Sequence, residues 1–136
     1  MLLVDTNILV DVFEDDPLWA DWSVGQLRAQ AQVHPLGINP VIYAELSLTF
    51  ASVRELDENL EGIGVSVEEM PRAALFLAGR AFLKYRRAGG TRTNVLADFF
   101  IGAHASVLGC GILTRDEARY RSYFPRVHLV TPHGAP

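Results

Sequence analysis

The chain has 136 residues, 49% of them hydrophobic, and a formal net charge of -4; that length predicts one domain over residues 1–136, with a core large enough to need no disulfide. Ordinary apolar content without low-complexity runs excludes disordered and fibrous classes, and no stretch nears the ~18 apolar residues of a membrane span. The small net charge conceals an uneven one: residues 1–70 carry thirteen acids against Arg28 and Arg54, and residues 71–136 carry ten bases against Asp98, Asp116 and Glu117, a distribution that fits either two solvated faces or a local positive rim for a polyanion.

Leu2, Leu3 and Val4 form a short apolar run that stops at Asp5-Thr6-Asn7, after which Ile8, Leu9, Val12 and Phe13 recur at helical spacing. This predicts a strand, a turn and a helix, the strand being buried on both faces as in a parallel sheet. The N-terminus lacks the basic flank and long apolar core of a signal peptide, so the expected compartment is the cytoplasm. Asp16-Pro17 is a helix-start pair and predicts a helix to about residue 32. An irregular strand is expected over 33–38, broken by Pro35 and Gly37. Asn39-Pro40 repeats the helix-start signal for a helix carrying Val41, Ile42, Ala44, Leu48 and Phe50, with Glu45 one turn in. An acidic helix over 53–61 and a third strand over 63–67 follow.

Pro71 opens the longest predicted helix, which ends on Lys84, Arg86 and Arg87, cations suited to a helix C-terminus, and is stopped by Gly89-Gly90. Another helix is expected from about Val95 to Leu108, closed by Gly109, with Asp98 in its first turn and the small residues Gly102, Ala105 and Ser106 leaving open space above one face. Cys110 has no ligand-spaced partner and reads as a small buried apolar residue. Ile112-Leu113-Thr114 is a further buried strand, followed by Arg115-Asp116, a basic and aromatic stretch to Arg126, and a last strand over 128–130. Strands alternating with helices predict an α/β fold: three layers, a small parallel sheet flanked by helices.

Parallel sheets bind ligands beyond the carboxyl ends of their strands. Asp5 and Asp116 both follow short apolar strands and therefore emerge on one edge, and Glu45 and Asp98 lie early in helices that can begin there. Four carboxylates brought together repel one another unless protonated or bridged by a cation, and oxygen donors without cysteine suit Mg²⁺ or Mn²⁺. Such an ion suits phosphodiester hydrolysis. Thr6, Asn7 and Thr114 are supporting polar groups, and Glu117 is a candidate for the outer shell. Each acid also has a bland reading: Asp5 and Asp116 as helix caps, Asp98 as a complement to the helix dipole, Glu45 as an arginine's partner. Four such coincidences at one edge weigh towards a shared site.

Leu-Val-Asp-Thr-Asn at 3–7, Tyr-Ala-Glu-Leu at 43–46, Asp-Phe-Phe-Ile-Gly-Ala-His-Ala at 98–105 and Leu-Thr-Arg-Asp at 113–116 together resemble the ordered signature of PIN-domain nucleases, most of all the VapC toxins of bacterial toxin–antitoxin pairs. The resemblance implies a Mg²⁺- or Mn²⁺-dependent endoribonuclease, a homodimer, and inhibition by a cognate antitoxin. By position it implies Asp5, Glu45, Asp98 and Asp116 as the catalytic, metal-binding acids.

Arg115, Arg119 and Arg121 are the candidates for contacting RNA, while Phe124, before Pro125, is expected to pack in the core. His34, His104, His128 and His133 have no partner at catalytic spacing and are read as core or surface residues. The competing function is a non-catalytic binding module whose acids receive Arg or Lys from a protein partner.

Overall fold

A computed structural model describes residues 1–133. Five strands, β1 (Leu2–Val4), β2 (Leu36–Ile38), β3 (Val65–Val67), β4 (Gly111–Leu113) and β5 (Leu129–Val130), form one sheet in the order β3-β2-β1-β4-β5. Every pairing is parallel. The helices are α1 (Thr6–Phe13), α2 (Ala20–Ala31), α3 (Pro40–Leu46), α4 (Val53–Gly62), α5 (Arg72–Arg87), α6 (Leu96–Leu108) and α7 (Ala118–Tyr123). Among the described residues, no helix is long and apolar enough to cross a membrane.

The central strand explains the layering. All three residues of β1 are buried, as are all three of β2, so apolar side chains leave both faces of the sheet and need helices on each side. Leu3, Val4, Ile8, Leu9, Ile38, Ile42 and Leu46 are wholly inaccessible, each contributing about 1.5–3 kcal/mol of transfer free energy. The reversal of strand order beside β1, with β2 on one side and β4 on the other, places the ends of β1 and β4 together. A crevice at such a position is where open α/β sheets bind ligands.

Most predicted boundaries agree, and three differ for local reasons. The helix expected from Pro17 begins at Ala20: Asp16 Oδ1 accepts the amides of Leu18 and Trp19 at 2.9 Å each, capping a turn rather than the helix. The strand expected from Val33 is reduced to Leu36–Ile38 because the chain leaving α2 turns through Val33 and His34, whose amides bond back to Gln30. The third helix stops at Leu46, short of Phe50, leaving Leu48 90% exposed. By contrast, Gly109 closes α6 as expected, in a left-handed conformation (φ 66°) that disfavours a side chain. Cys110 is half-buried rather than buried.

An aromatic cluster sets the C-terminal third. Phe99 of α6 meets Phe82 and Tyr85 of α5 at 5.5 Å between ring centroids, Tyr123 at 5.1 Å and Phe124 at 6.3 Å. The space expected above Gly102 is filled: a Cβ there would lie 2.3 Å from Phe124 Cδ2, so glycine is what lets this ring seat on α6. Asp98 immediately precedes Phe99, and Tyr123 ends α7. The cluster thus fixes both elements at the edge where β1 and β4 end.

Candidate active site

Asp5, the first residue beyond β1, is 4% exposed and held from several directions. Its Oδ1 accepts the Thr6 amide at 2.7 Å, capping α1. Its Oδ2 accepts the hydroxyls of Thr114 and Tyr120, each at 2.8 Å, and the Asn7 Nδ2 amide at 3.4 Å. Burial pushes the Asp5 carboxyl up to about 6, against the lowering effect of the Thr114, Tyr120 and Thr6 hydrogen bonds and with a smaller push from the Glu45 charge.

Asn7 and Thr114 tie the β4 end to this carboxylate. Asn7 Nδ2 donates to Thr114 Oγ1 at 3.3 Å and Asn7 Oδ1 accepts the Arg115 amide at 3.1 Å, while Thr114 Oγ1 accepts the Asp116 amide at 3.0 Å. Thr6 Oγ1 donates to Glu45 Oε1 at 2.6 Å, which brings the α3 acid to the α1 N-terminus. That placement follows from Asn39, which caps α3 through a 3.0 Å bond from the Ile42 amide and so starts the helix at the end of β2.

Asp98 completes the opposite wall from the first turn of α6. It is half-buried, and Arg119 Nε donates to its Oδ2 at 3.3 Å. Its carboxyl also rises to about 6, chiefly through burial and next through the Asp5 charge; the Arg119 hydrogen bond opposes this, and Asp116 adds a smaller push. Asp5, Thr6, Asn7, Glu45 and Asp98 line one open cleft with Asp11, Asp16 and Arg115. Asp116 stands exposed at its rim, accepting the Ala118 amide at 3.4 Å. Among the described residues, no three acids converge closely enough to form a ready-made cation cage.

A sequence profile of the PIN domain matches residues 2–125. The chain belongs to the PIN domain family. Its fold is similar to that of the VapBC2 complex from Rickettsia felis bound to a promoter DNA fragment, with 18% identity over 96% of this chain and 97% of that one and a TM-score of 0.73. The DNA-bound VapBC complex from Salmonella typhimurium gives 17% identity, 96% coverage of each chain and a TM-score of 0.69. FitAcB from Neisseria gonorrhoeae gives 18% identity, coverage of 97% and 98%, and 0.67. Among curated proteins, no sequence match accompanies these. At such identities the structural likeness speaks for the PIN fold alone.

The remaining predicted residues of this PIN domain have partners of their own. Glu117 turns away from the acids, paired with Arg121 at 3.4 Å and bonded to Thr131, and both partners draw its pKa down. Arg115 is bound to Asp11 by two short bonds, 2.7 Å from Nε and 2.8 Å from Nη2, with its guanidinium 5.0 Å from the Trp19 ring centre. Arg121 is exposed. Two participants were not legible as such. Tyr120 is indistinguishable in sequence from a packing aromatic, yet it is a direct ligand of Asp5 through its hydroxyl. Asp11, 2% exposed, faces Arg115 because it lies on the same face of α1 as Asn7 one turn earlier. Of the histidines, His34 and His128 line another cleft with Trp22 and Gln26, His104 is buried with Nδ1 3.3 Å from Asn39 Nδ2, and His133 packs edge-on against Trp19 at 6.2 Å between ring centroids.

Proposed function

We propose that this PIN domain is a Mg²⁺- or Mn²⁺-dependent endoribonuclease acting as the toxin of a toxin–antitoxin pair. The observation that carries the reading is that Asp5, Glu45 and Asp98, brought from the start of α1, from α3 and from the first turn of α6, line one open cleft. Burial raises both carboxyls and the Asp5 charge raises Asp98 further, so a divalent cation placed between them would be favourable. The donors are all oxygen, from Asp5, Glu45, Asp98 and, at the rim, Asp116, which fits a hard ion.

When bound, the ion would supply Lewis-acid polarisation of a phosphoryl oxygen and acidification of a water. The chain's own residues prepare the place. Thr114 and Tyr120 fix Asp5, Thr6 fixes Glu45, and Asn7 fixes the loop carrying Asp116. Arg119 and Arg121 of α7 are the cations that would meet RNA phosphates, whereas Arg115 is committed to Asp11. The toxin role rests on the VapBC likeness, and implies a cognate antitoxin, a cytoplasmic setting and a homodimer, for which the exposed Leu75, Phe76 and Leu83 of α5 offer apolar surface.

A second reading is a binding module that receives arginine or lysine of a partner. The guanidinium of Arg119 already seated on Asp98 favours it. Cleavage of a fluorophore–quencher RNA in Mg²⁺ or Mn²⁺ separates the two. The nuclease reading expects cutting that is abolished by chelator and in Asp5→Asn and Asp98→Asn. Cutting undiminished in both variants overturns it, and absence of both cutting and Mn²⁺ binding favours the module.

A further inference from the structure

Among the described ion pairs, three of the four join residues outside the proposed ligand set: Arg54–Glu58, Arg115–Asp11 and Arg121–Glu117. The fourth puts a cation on a ligand. Arg119 Nε lies 3.3 Å from Asp98 Oδ2, with only 16% and 25% of the two side chains exposed. The pair is shielded enough to matter and weak enough to exchange. Its single long bond contrasts with the two-bond Arg115–Asp11 pair, whose contacts of 2.7 and 2.8 Å mark a permanent fixture.

The backbone beneath Arg119 is anchored independently of that bond. Tyr120, the next residue, is 1% exposed and bonded to Asp5, and Tyr123 and Phe124 are clamped in the aromatic cluster. The Arg119 side chain can therefore leave Asp98 without α7 moving. A divalent cation attracted jointly by Asp5 and Asp98 outcompetes one guanidinium nitrogen for Asp98, because its double charge acts on both carboxylates at once.

We propose that Arg119 is a tethered counter-ion that occupies Asp98 in the metal-free protein and is displaced from it when a divalent cation binds, which frees its guanidinium for a substrate phosphate. The inference rests on the metal-dependent reading of the cleft and adds to it a built-in competitor. Arg119 lowers metal affinity in the resting protein and becomes a phosphate-binding group only once the site is loaded.

The test is calorimetric titration of Mn²⁺ into the folded wild-type chain, Arg119→Gln and Asp98→Asn. Removing the competitor is expected to tighten Mn²⁺ binding by about twofold to fivefold, the range for releasing a single weak ion pair, while Asp98→Asn loses binding. Unchanged or weaker binding in Arg119→Gln, with Asp98→Asn still defective, overturns the counter-ion role and leaves the metal site standing. No binding in any of the three overturns both. An independent readout on the unaltered chain is the Arg119 Nε–H resonance in a Mg²⁺ titration. It should shift and exchange faster with water as Asp98 is taken over, and a resonance unmoved at saturating Mg²⁺ overturns the displacement.

Discussion

Replacing Asp5 with asparagine should stabilise the metal-free protein at neutral pH and do so much less at acid pH. The Asp5 carboxyl stands at about 6 in the folded chain against an ordinary value of 3.8, because it is buried. A carboxyl that holds its proton more tightly when folded favours folding below the unfolded value, and that contribution is lost as pH rises through the folded value. The rise corresponds to about 3 kcal/mol in all, lost between the unfolded value of 3.8 and the folded value of about 6. Asparagine cannot ionise. Its Oδ1 can still accept the Thr6 amide, and the Thr114 and Tyr120 hydroxyls can rotate to accept from its amino group. Removing the charge also relieves Asp98, whose carboxyl is raised partly by Asp5, so the two effects overlap and do not add. Urea unfolding in chelator at pH 4.5 and pH 7.5 measures the difference directly, with other titrating groups cancelling between variant and wild type. The variant should gain about 3 kcal/mol at pH 7.5 and about 1 kcal/mol at pH 4.5, where the unfolded carboxyl is already largely ionised. A variant equally destabilised at both pH values would refute the claim that burial of this charge is costly.

Tyr120→Phe removes a hydroxyl that serves the charged form of Asp5, so its cost should grow from about 1 kcal/mol at pH 4.5 to about 2 kcal/mol at pH 7.5; the same unfolding assay reads it, and a cost that shrinks with pH would contradict the bond's role. Asp11→Ala leaves Arg115 without its partner and Ser23 Oγ without its acceptor. The expected loss is about 2–3 kcal/mol, the lower side for breaking a buried pair because Arg115 reaches water, checked by the shift in denaturation midpoint. Gly102→Ala drives a methyl into the Phe124 ring and should cost about 1–3 kcal/mol, with altered near-ultraviolet dichroism as the aromatic cluster repacks.

Local chemistry made the skeleton readable. Asn39-Pro40 and Gly109 mark boundaries through capping and a left-handed turn, effects that operate within a few residues and so survive in the sequence. The shared edge for Asp5 and Asp116 was legible because parallel strands leave no other arrangement. What failed needed partners distant in the chain. The face above Gly102 looked empty because nothing nearby in sequence fills it; Phe124, 22 positions later, does. The pair between Arg115 and Asp11 was not legible because 104 residues separate the two. Tyr120 had the spacing of a core residue and is one, yet its hydroxyl reaches the site.

The capping role of Asp5 leaves room for the ligand role proposed for it, and the reason lies in how its two oxygens are used. An ionised carboxylate offers about four lone-pair positions, two on each oxygen. Oδ2 is saturated by the Thr114 and Tyr120 hydroxyls, with Asn7 a longer third contact. Among the described residues, Oδ1 accepts only the Thr6 amide, which leaves it one lone pair. The cap therefore sets the orientation of the carboxylate, the hydroxyls lock it, and the remaining capacity belongs to the cleft. Burial alone calls for donors on the second oxygen, so the Thr114 and Tyr120 hydroxyls serve the cap as well; a second use of this side chain, as proposed above, would draw on the remaining lone pair of Oδ1.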